Sequence, residues 1–189
     1  MQIVFKYNYY LWTFCHILLI VTNLEVFKTK KKNIAELVCS KNKLSCFVGA
    51  NGIKKKVREG DNVTPRGTYR FLEIYYRPDK VEDLKANIPI KKIYKNSFWC
   101  IDSKSKFYNS YQNKKKFLCE ELYRNDGLYD ILITLNYNIR PTKKFKGSAI
   151  FIHCCGTKKK STEGCLALKK KDLVKLIGLI KPQSRLIIY

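Results

Sequence analysis

The sequence predicts a mostly β protein, and two patterns predict it. From Ile34 onward, short apolar runs rich in β-branched and aromatic residues alternate with clusters of Gly, Pro, Asn and Lys, which is how strands and turns punctuate a chain. Against this background one stretch alone carries a clear helical period. In chain order, Ile34–Cys39 and Leu44–Val48 read as strands. The loop from Arg58 to Thr68 ends in a Thr64-Pro65-x-Gly67 turn, where Pro fixes φ and Gly67 supplies freedom before a strand over Thr68–Tyr76. Lys80–Asn125 has weak periodicity and many Lys, Asn and Ser residues, so long loops with short elements are expected, of the kind that form binding loops or lids. Tyr129–Asn136 and Ala149–His153 follow as strands. Lys170–Lys181 is the helix: Leu173, Leu176, Ile177 and Ile180 fall at i, i+3, i+4 and i+7, and Pro182 stops it. Arg185–Tyr189 closes the list as a last strand. No internal repeat appears.

The length of 189 residues suits one domain with a short appendage, and 46% hydrophobic content supports a packed core despite a formal charge of +23. This composition excludes a collagen, a coiled coil and a multi-span membrane protein. The charge favours an anionic partner: nucleic acid, a lipid headgroup surface or an anionic polymer. Only seven of the 38 basic residues are Arg, which weakens base readout, since that prefers the flat guanidinium fork. The remaining lysines read equally well as a solvated face from a Lys-rich coding habit. No motif interleaves Arg with aromatic residues as a nucleic-acid-binding protein would, so a nucleic-acid partner is not expected.

At the N-terminus the apolar run Leu11–Val21 is too short for a span of roughly 20 residues and fits the apolar region of an export signal. The preceding segment carries one Lys, no small-x-small cleavage site is evident, and the cluster Lys28–Lys32 follows. Residues 1–33 are therefore expected to form an export signal or a membrane-adhering anchor, plus a basic linker. A misassigned start or an ordinary packed segment are the other readings. The domain is expected over 34–189.

Eight cysteines (15, 39, 46, 100, 119, 154, 155 and 165) suggest a disulfide framework if the protein is exported. No Cys-x-x-Cys pair exists, and the adjacent Cys154 and Cys155 cannot easily share one tetrahedral ion, so no metal site is expected. Most of the remaining cysteines read as small buried hydrophobes, with pairing as the alternative.

Of the two histidines, His16 sits in the apolar N-terminal run, whereas His153 ends the apolar Ser148–Ile152 stretch. Twelve residues later comes Cys165, directly after Gly164 and at the start of a second apolar run. A free thiol is only a few per cent thiolate at neutral pH, so a nearby imidazole is what would make it a competent nucleophile. Gly164, without a side chain, lets backbone N–H groups approach a developing oxyanion. Each residue taken alone also reads as ordinary: a satisfied histidine at a strand end, a buried small thiol.

Several ordered motifs add to this pair. Gly147–His153, then Ser161-Thr162-Glu163-Gly164-Cys165-Leu166-Ala167-Leu168 and Asp172-Leu173, resemble the signature of the L,D-transpeptidase catalytic domain, the YkuD family of peptidoglycan cross-linking enzymes. Glu59-Gly60-Asp61-x-x-Thr64-Pro65-x-Gly67, Tyr76-Arg77-Pro78-Asp79, Trp99-Cys100-x-Asp102, Asp126–Asp130 and Asn136-Tyr137-Asn138 occur in the order of one branch of that family. The resemblance spans roughly Ile34 to Tyr189.

The resemblance implies a YkuD-like β-sandwich with a few short helices, one after the catalytic cysteine. It implies a cysteine acyl transferase needing no cofactor or metal. Cys165 would be the nucleophile that attacks a tetrapeptide stem and releases D-alanine, and His153 the general base and acid. The Cys154 carbonyl would orient the imidazole, and the N–H groups of Gly164 and Cys165 would form the oxyanion hole. Ser161, Thr162, Glu163, Asn136 and Tyr137 would contact substrate. The acyl-enzyme passes to an acceptor amine, giving a cross-link, or to water, giving an L,D-carboxypeptidase; a noncatalytic peptidoglycan-binding module is the other alternative. Many family members carry a second His before the Gly-Cys pair and an Arg after it. Here Glu163 and Leu166 or Ala167 stand there, so Glu163 is expected to steer an acceptor ammonium or pair with a Lys, and Lys158–Lys160 to supply the charge for the donor carboxylate. A monomer is expected, acting on peptidoglycan stem peptides in the periplasm or facing the wall, with membrane association through the N-terminal segment.

Overall fold

The computed structural model describes residues 22–156 and 160–189. The apolar run Leu11–Val21, with the expected export signal or anchor, lies outside the described residues, as do Lys158 and Lys159. Among the described residues no helix is long and apolar enough to cross a membrane.

The six strands expected from the alternating runs all form, and eight further ones join them among the described residues. In chain order the strands are β1 (Leu24–Lys28), β2 (Ile34–Cys39), β3 (Asn42–Phe47), β4 (Ile53–Lys54), β5 (Thr64–Pro65), β6 (Gly67–Tyr76), β7 (Ile90–Lys92), β8 (Phe98–Cys100), β9 (Ser110–Gln112), β10 (Cys119–Glu121), β11 (Ile131–Leu135), β12 (Phe151–Cys154), β13 (Leu166–Leu168) and β14 (Arg185–Ile188). Nine of them form one sheet in the order β11-β12-β13-β3-β2-β1-β14-β6-β7. Because β11 also pairs with β6, the sheet closes on itself and leaves only β7 outside the ring. The two layers of the expected sandwich are thus one continuous wall, and closure removes the unpaired edges that two separate sheets would expose.

The alternation of each strand aims one side chain in two at the interior. In β2 these are Ala35, Leu37 and Cys39, in β1 Leu24 and Val26, and in β14 Leu186 and Ile188, all essentially solvent-free. The single helix among the described residues, α1 (Lys170–Leu179), inserts Leu173, Leu176 and Ile177 into the same core. Its stripe is the one expected, but it ends before Lys181 because Ile180 already has extended backbone, ahead of Pro182. Full burial of one such aliphatic side chain is worth roughly 1.5–3 kcal/mol.

Two of the shifted boundaries have a physical cause in the fold. The folded unit begins at Leu24, ten residues before Ile34, because Leu24 and Val26 fill the core and β1 sits between β2 and β14. The Lys28–Lys32 cluster hides this strand in the sequence by making it look like the end of a tail. The expected Ala149–His153 strand starts at Phe151 instead, since Ala149 adopts φ +49, which is incompatible with a strand.

Like its neighbour β12, β11 is buried on both faces. Its outer face, with that of β12, is covered by a three-stranded sheet in the order β10-β8-β9, drawn from the Lys80–Asn125 region. Between the two sheets Tyr75, Ile93, Trp99, Leu122, Tyr129, Leu132 and Phe151 form a second, mainly aromatic cluster. Trp99 meets Phe151 edge-on at 5.0 Å, an arrangement the ring quadrupoles favour.

Candidate active site

The parallel pair β12 and β13 brings the candidate residues together. Ile152 is opposite Leu166 and His153 opposite Ala167. Alternation sends Ile152, Cys154, Leu166 and Leu168 into the interior core, and leaves Phe151, His153, Cys165 and Ala167 facing the second sheet. The same register places Cys165 beside Phe151, whose N–H approaches Sγ at 3.4 Å. His153 lies two residues further along the adjacent strand on the same face, which puts the two Cα atoms roughly 8 Å apart, within reach of their side chains.

His153 is 6% exposed, and its Nδ1 lies 2.8 Å from the Cys154 carbonyl oxygen. A carbonyl can only accept, so Nδ1 carries the hydrogen and, in the neutral ring, Nε2 keeps a free lone pair. Tyr129 packs its ring edge-on against the imidazole at 5.4 Å. Burial lowers the histidine from 6.5 to about 4, so the ring is neutral at pH 7. Burial likewise pushes the Cys165 thiol up to about 12. The resting pair is therefore thiol and neutral imidazole rather than an ion pair. The thiol donates to the Ala149 carbonyl at 3.0 Å, and among the described residues no hydrogen bond joins Sγ to His153.

The turn before the cysteine is held from two sides. Thr162 Oγ1 accepts the Gly164 N–H at 3.1 Å and donates to the Cys165 carbonyl at 2.6 Å. Gly164 N–H is thus engaged, unlike the oxyanion donor that the resemblance implies. On the other side Thr64 Oγ1 accepts the Gly49 N–H at 2.8 Å, which directs its one hydrogen to the Gly164 carbonyl at 2.8 Å. In a trans peptide the carbonyl and the following N–H point in opposite directions. Holding the Gly164 carbonyl on Thr64 therefore aims the Cys165 N–H the other way, and that N–H has no hydrogen-bond partner among the described residues. Gly164 is required here: at φ +144 an added Cβ would lie 2.9 Å from the Val63 carbonyl oxygen and 3.0 Å from Ile150 Cδ1.

Asp61 braces the segment that carries Thr64. Its carboxylate accepts the N–H groups of Val57, Arg58 and Val63 and pairs with Lys56, whose side chain is 2% exposed. Burial opposes the carboxylate's charge, but Lys56 and the three N–H groups prevail and hold it below the usual aspartate range. Nearby, Glu59 accepts from both Tyr108 and Ser148.

His153 and Cys165 open onto a cleft of about 710 Å³. Ser161, Thr162 and the exposed Glu163 line it, as does Lys160 from the expected basic loop. The opposite wall comes from the small sheet and the segment after it. There Arg124 bonds Glu120 and Asp126, and Tyr129 donates to Glu120 at 3.1 Å.

Asn136 and Tyr137 are not in this lining. Asn136 Oδ1 accepts the Arg70 N–H at 2.7 Å, a brace where β6 and β11 part. Tyr137 donates to the Lys146 carbonyl and packs against Tyr69. Its backbone carbonyl, with that of Asn138, receives Asn109 Nδ2, while Asn109 Oδ1 accepts from Trp99 and from the Ala149 N–H. These residues hold the backbone that presents Ala149 to the thiol. Sequence reasoning gave no site role to Thr64, which it named only within a turn and a family motif, or to Arg124. The available signal for Arg124 was its rarity: it is one of seven arginines and falls in the expected lid.

The YkuD family model, described as the L,D-transpeptidase catalytic domain, matches residues 20–188. No curated protein matches the chain. Among solved structures, one described as "Structure of Bdellovibrio bacteriovorus Bd1075" is similar, with 15% identity and a TM-score of 0.45. That match covers 89% of this chain and 48% of the other, so the chain spans about half that protein's length.

Proposed function

The chain belongs to the YkuD family of L,D-transpeptidase catalytic domains, and from that premise we propose that it is a peptidoglycan L,D-transpeptidase working through a Cys165 acyl-enzyme. The observation that carries the reading is the shared face of β12 and β13, where a neutral His153 with a free Nε2 and the Cys165 thiol open onto one cleft.

In this reading the Cys165 side chain rotates away from the Ala149 carbonyl, and Nε2 of His153 takes the thiol proton as sulfur attacks the carbonyl preceding the terminal D-alanine of a tetrapeptide stem. Proton transfer accompanies attack, because burial disfavours a standing thiolate. The oxyanion meets the Cys165 N–H that Thr64 aims away from itself; one such donor is commonly worth about 10² to 10³ in rate. His153 then returns the proton to the leaving D-alanine amine, leaving a thioester. An acceptor amine attacks the thioester, gives its proton to Nε2, and the thiol is restored as the cross-link forms.

Glu163, exposed at the mouth, attracts the acceptor ammonium, while Lys160 supplies positive charge for the donor carboxylate in place of the family's arginine. The site of action is the wall-facing side of the membrane, with export or anchoring by the segment ahead of the fold.

Incubation of the purified chain with a tetrapeptide stem tests the proposal. The expected result is released D-alanine plus either a cross-linked dimer or a tripeptide, the ratio reading the partition between amine and water. Absence of D-alanine release under conditions where the chain is folded overturns it.

A further inference from the structure

Two cysteines outside the candidate active site face each other across the small sheet. Cys100, at the end of β8, and Cys119, at the start of β10, are directly opposed in antiparallel register. The ladder decides which kind of pair they are. Ile101 N–H donates to the Leu118 carbonyl at 2.9 Å and Leu122 N–H to the Ser97 carbonyl at 3.0 Å. Hydrogen-bonded and non-hydrogen-bonded pairs alternate along such a ladder, so Cys100 and Cys119 form a non-hydrogen-bonded pair. Pairs of this kind bring Cα atoms to about 4.5 Å, with side chains leaving the sheet on the same face. A disulfide spans Cα separations of about 4.4 to 6.8 Å.

Accessibility divides the pair into two roles. Cys119 is half-buried and Cys100 fully buried, and both are free thiols. Burial raises the Cys119 thiol, and the Cys100 thiol beside it raises it further. Among the described cysteines no other two stand opposite each other in a strand ladder: Cys39 faces Leu24 and Asn42, Cys46 faces Ala35, and Cys154 faces Leu168.

We propose that Cys100 and Cys119 are a modification site for a disulfide-class oxidant, closing to an intramolecular disulfide that ties β8 to β10. The Cys119 thiolate attacks one sulfur of the oxidant's disulfide, forming a mixed disulfide and displacing one thiolate. The Cys100 thiolate then attacks Cys119 sulfur and displaces the second. Two protein thiols are oxidised, the oxidant's disulfide is reduced to two thiols, and the two protons pass to those. Leu118 and Glu120, on either side of Cys119, line the cleft, so the bond staples one of its walls. β9 and its loops lie inside the closed ring, and restricting that stretch in the unfolded chain stabilises the folded one. The proposal stands on the sheet register and does not depend on the chemistry of Cys165.

The test is oxidation of the reduced, folded full chain with oxidised glutathione, followed by intact mass and peptide mapping. The expected outcome is loss of two hydrogens, one cross-linked peptide joining Cys100 to Cys119, and a thermal midpoint that rises by several degrees and falls back with reductant. In Cys100→Ser, Cys119 should stop at a stable glutathione adduct with no rise in midpoint. Cross-links between other cysteines, or Cys100 and Cys119 both remaining free at full exposure to the oxidant, overturn the proposal. The mapping of the unsubstituted chain decides the matter even if the variant does not fold.

Discussion

The inside of the closed sheet and the layer between that sheet and its three-stranded cover are built from the same strands and do opposite work. Inside, β1, β2, β11 and β14 contribute aliphatic side chains with almost no exposure, and α1 completes the packing. Outside, the alternate positions of β11 and β12 meet aromatic rings, and two titratable groups, His153 and Cys165, are held there in their neutral forms by burial. Three of the chain's positive-φ residues stand beside this pair: Ala149 at φ +49, Asn109 at φ +59 and Gly164 at φ +144. One wall thus separates a face that packs aliphatic side chains from a face that holds the candidate pair His153 and Cys165.

Substitutions on the two faces should separate these roles. The largest effect is expected for Cys165→Ala, which should abolish D-alanine release while leaving unfolding free energy within about 1 kcal/mol. His153→Gln should lower kcat/KM by about 10² to 10⁴-fold, the usual share of a general base. On the other face Ile133→Ala, at a position with 0% exposure, should cost about 2–5 kcal/mol in denaturant unfolding without changing the chemistry of the folded fraction.

A pH effect comes next in size. Burial lowers His153 from 6.5 to about 4, so between those values the unfolded chain binds a proton that the folded chain refuses. Stability should therefore fall as pH drops from about 6.5 to about 4, by on the order of 3 kcal/mol, with no contribution from this group above that window. Other carboxylates titrate there too, so the readout is the difference between the unsubstituted chain and His153→Gln, whose slope should be shallower. The smallest expected effect is in Thr64→Val: a fall of about tenfold in kcat with KM little changed, restored by Thr64→Ser, because the hydroxyl and not the methyl holds the Gly164 carbonyl.

The aliphatic face was the more legible in the sequence. Its signal is periodic and local, as in the stripe Leu173, Leu176, Ile177 and Ile180, and in the strand Ile34–Cys39, found with those bounds. β1 escaped because its two core residues sit between an apolar run and a lysine cluster, and its partner β14 lies at the far end of the chain. Of the candidate residues, His153 and Cys165, picked out by their chemistry, and Ser161, Thr162 and Glu163, picked out by their motif, line one cleft, whereas the Gly164 N–H expected at an oxyanion is held by Thr162. Thr64 acts on a carbonyl a hundred positions away, and no local pattern announces such a contact. Asn136 and Tyr137 were placed at the substrate by their motif, yet their contacts are braces with Arg70, Lys146 and Asn109. A motif marks what a fold must keep without saying whether the residue touches substrate or backbone.

The central claim, that the outer face presents Cys165 as the nucleophile with His153 as its base, is tested most directly by exposing the folded chain to a carbapenem and mapping the adduct by mass spectrometry. The account predicts one adduct, on the peptide carrying Cys165, formed far more slowly in His153→Gln and absent in Cys165→Ala. An adduct on another cysteine, or none on a folded chain, would contradict it.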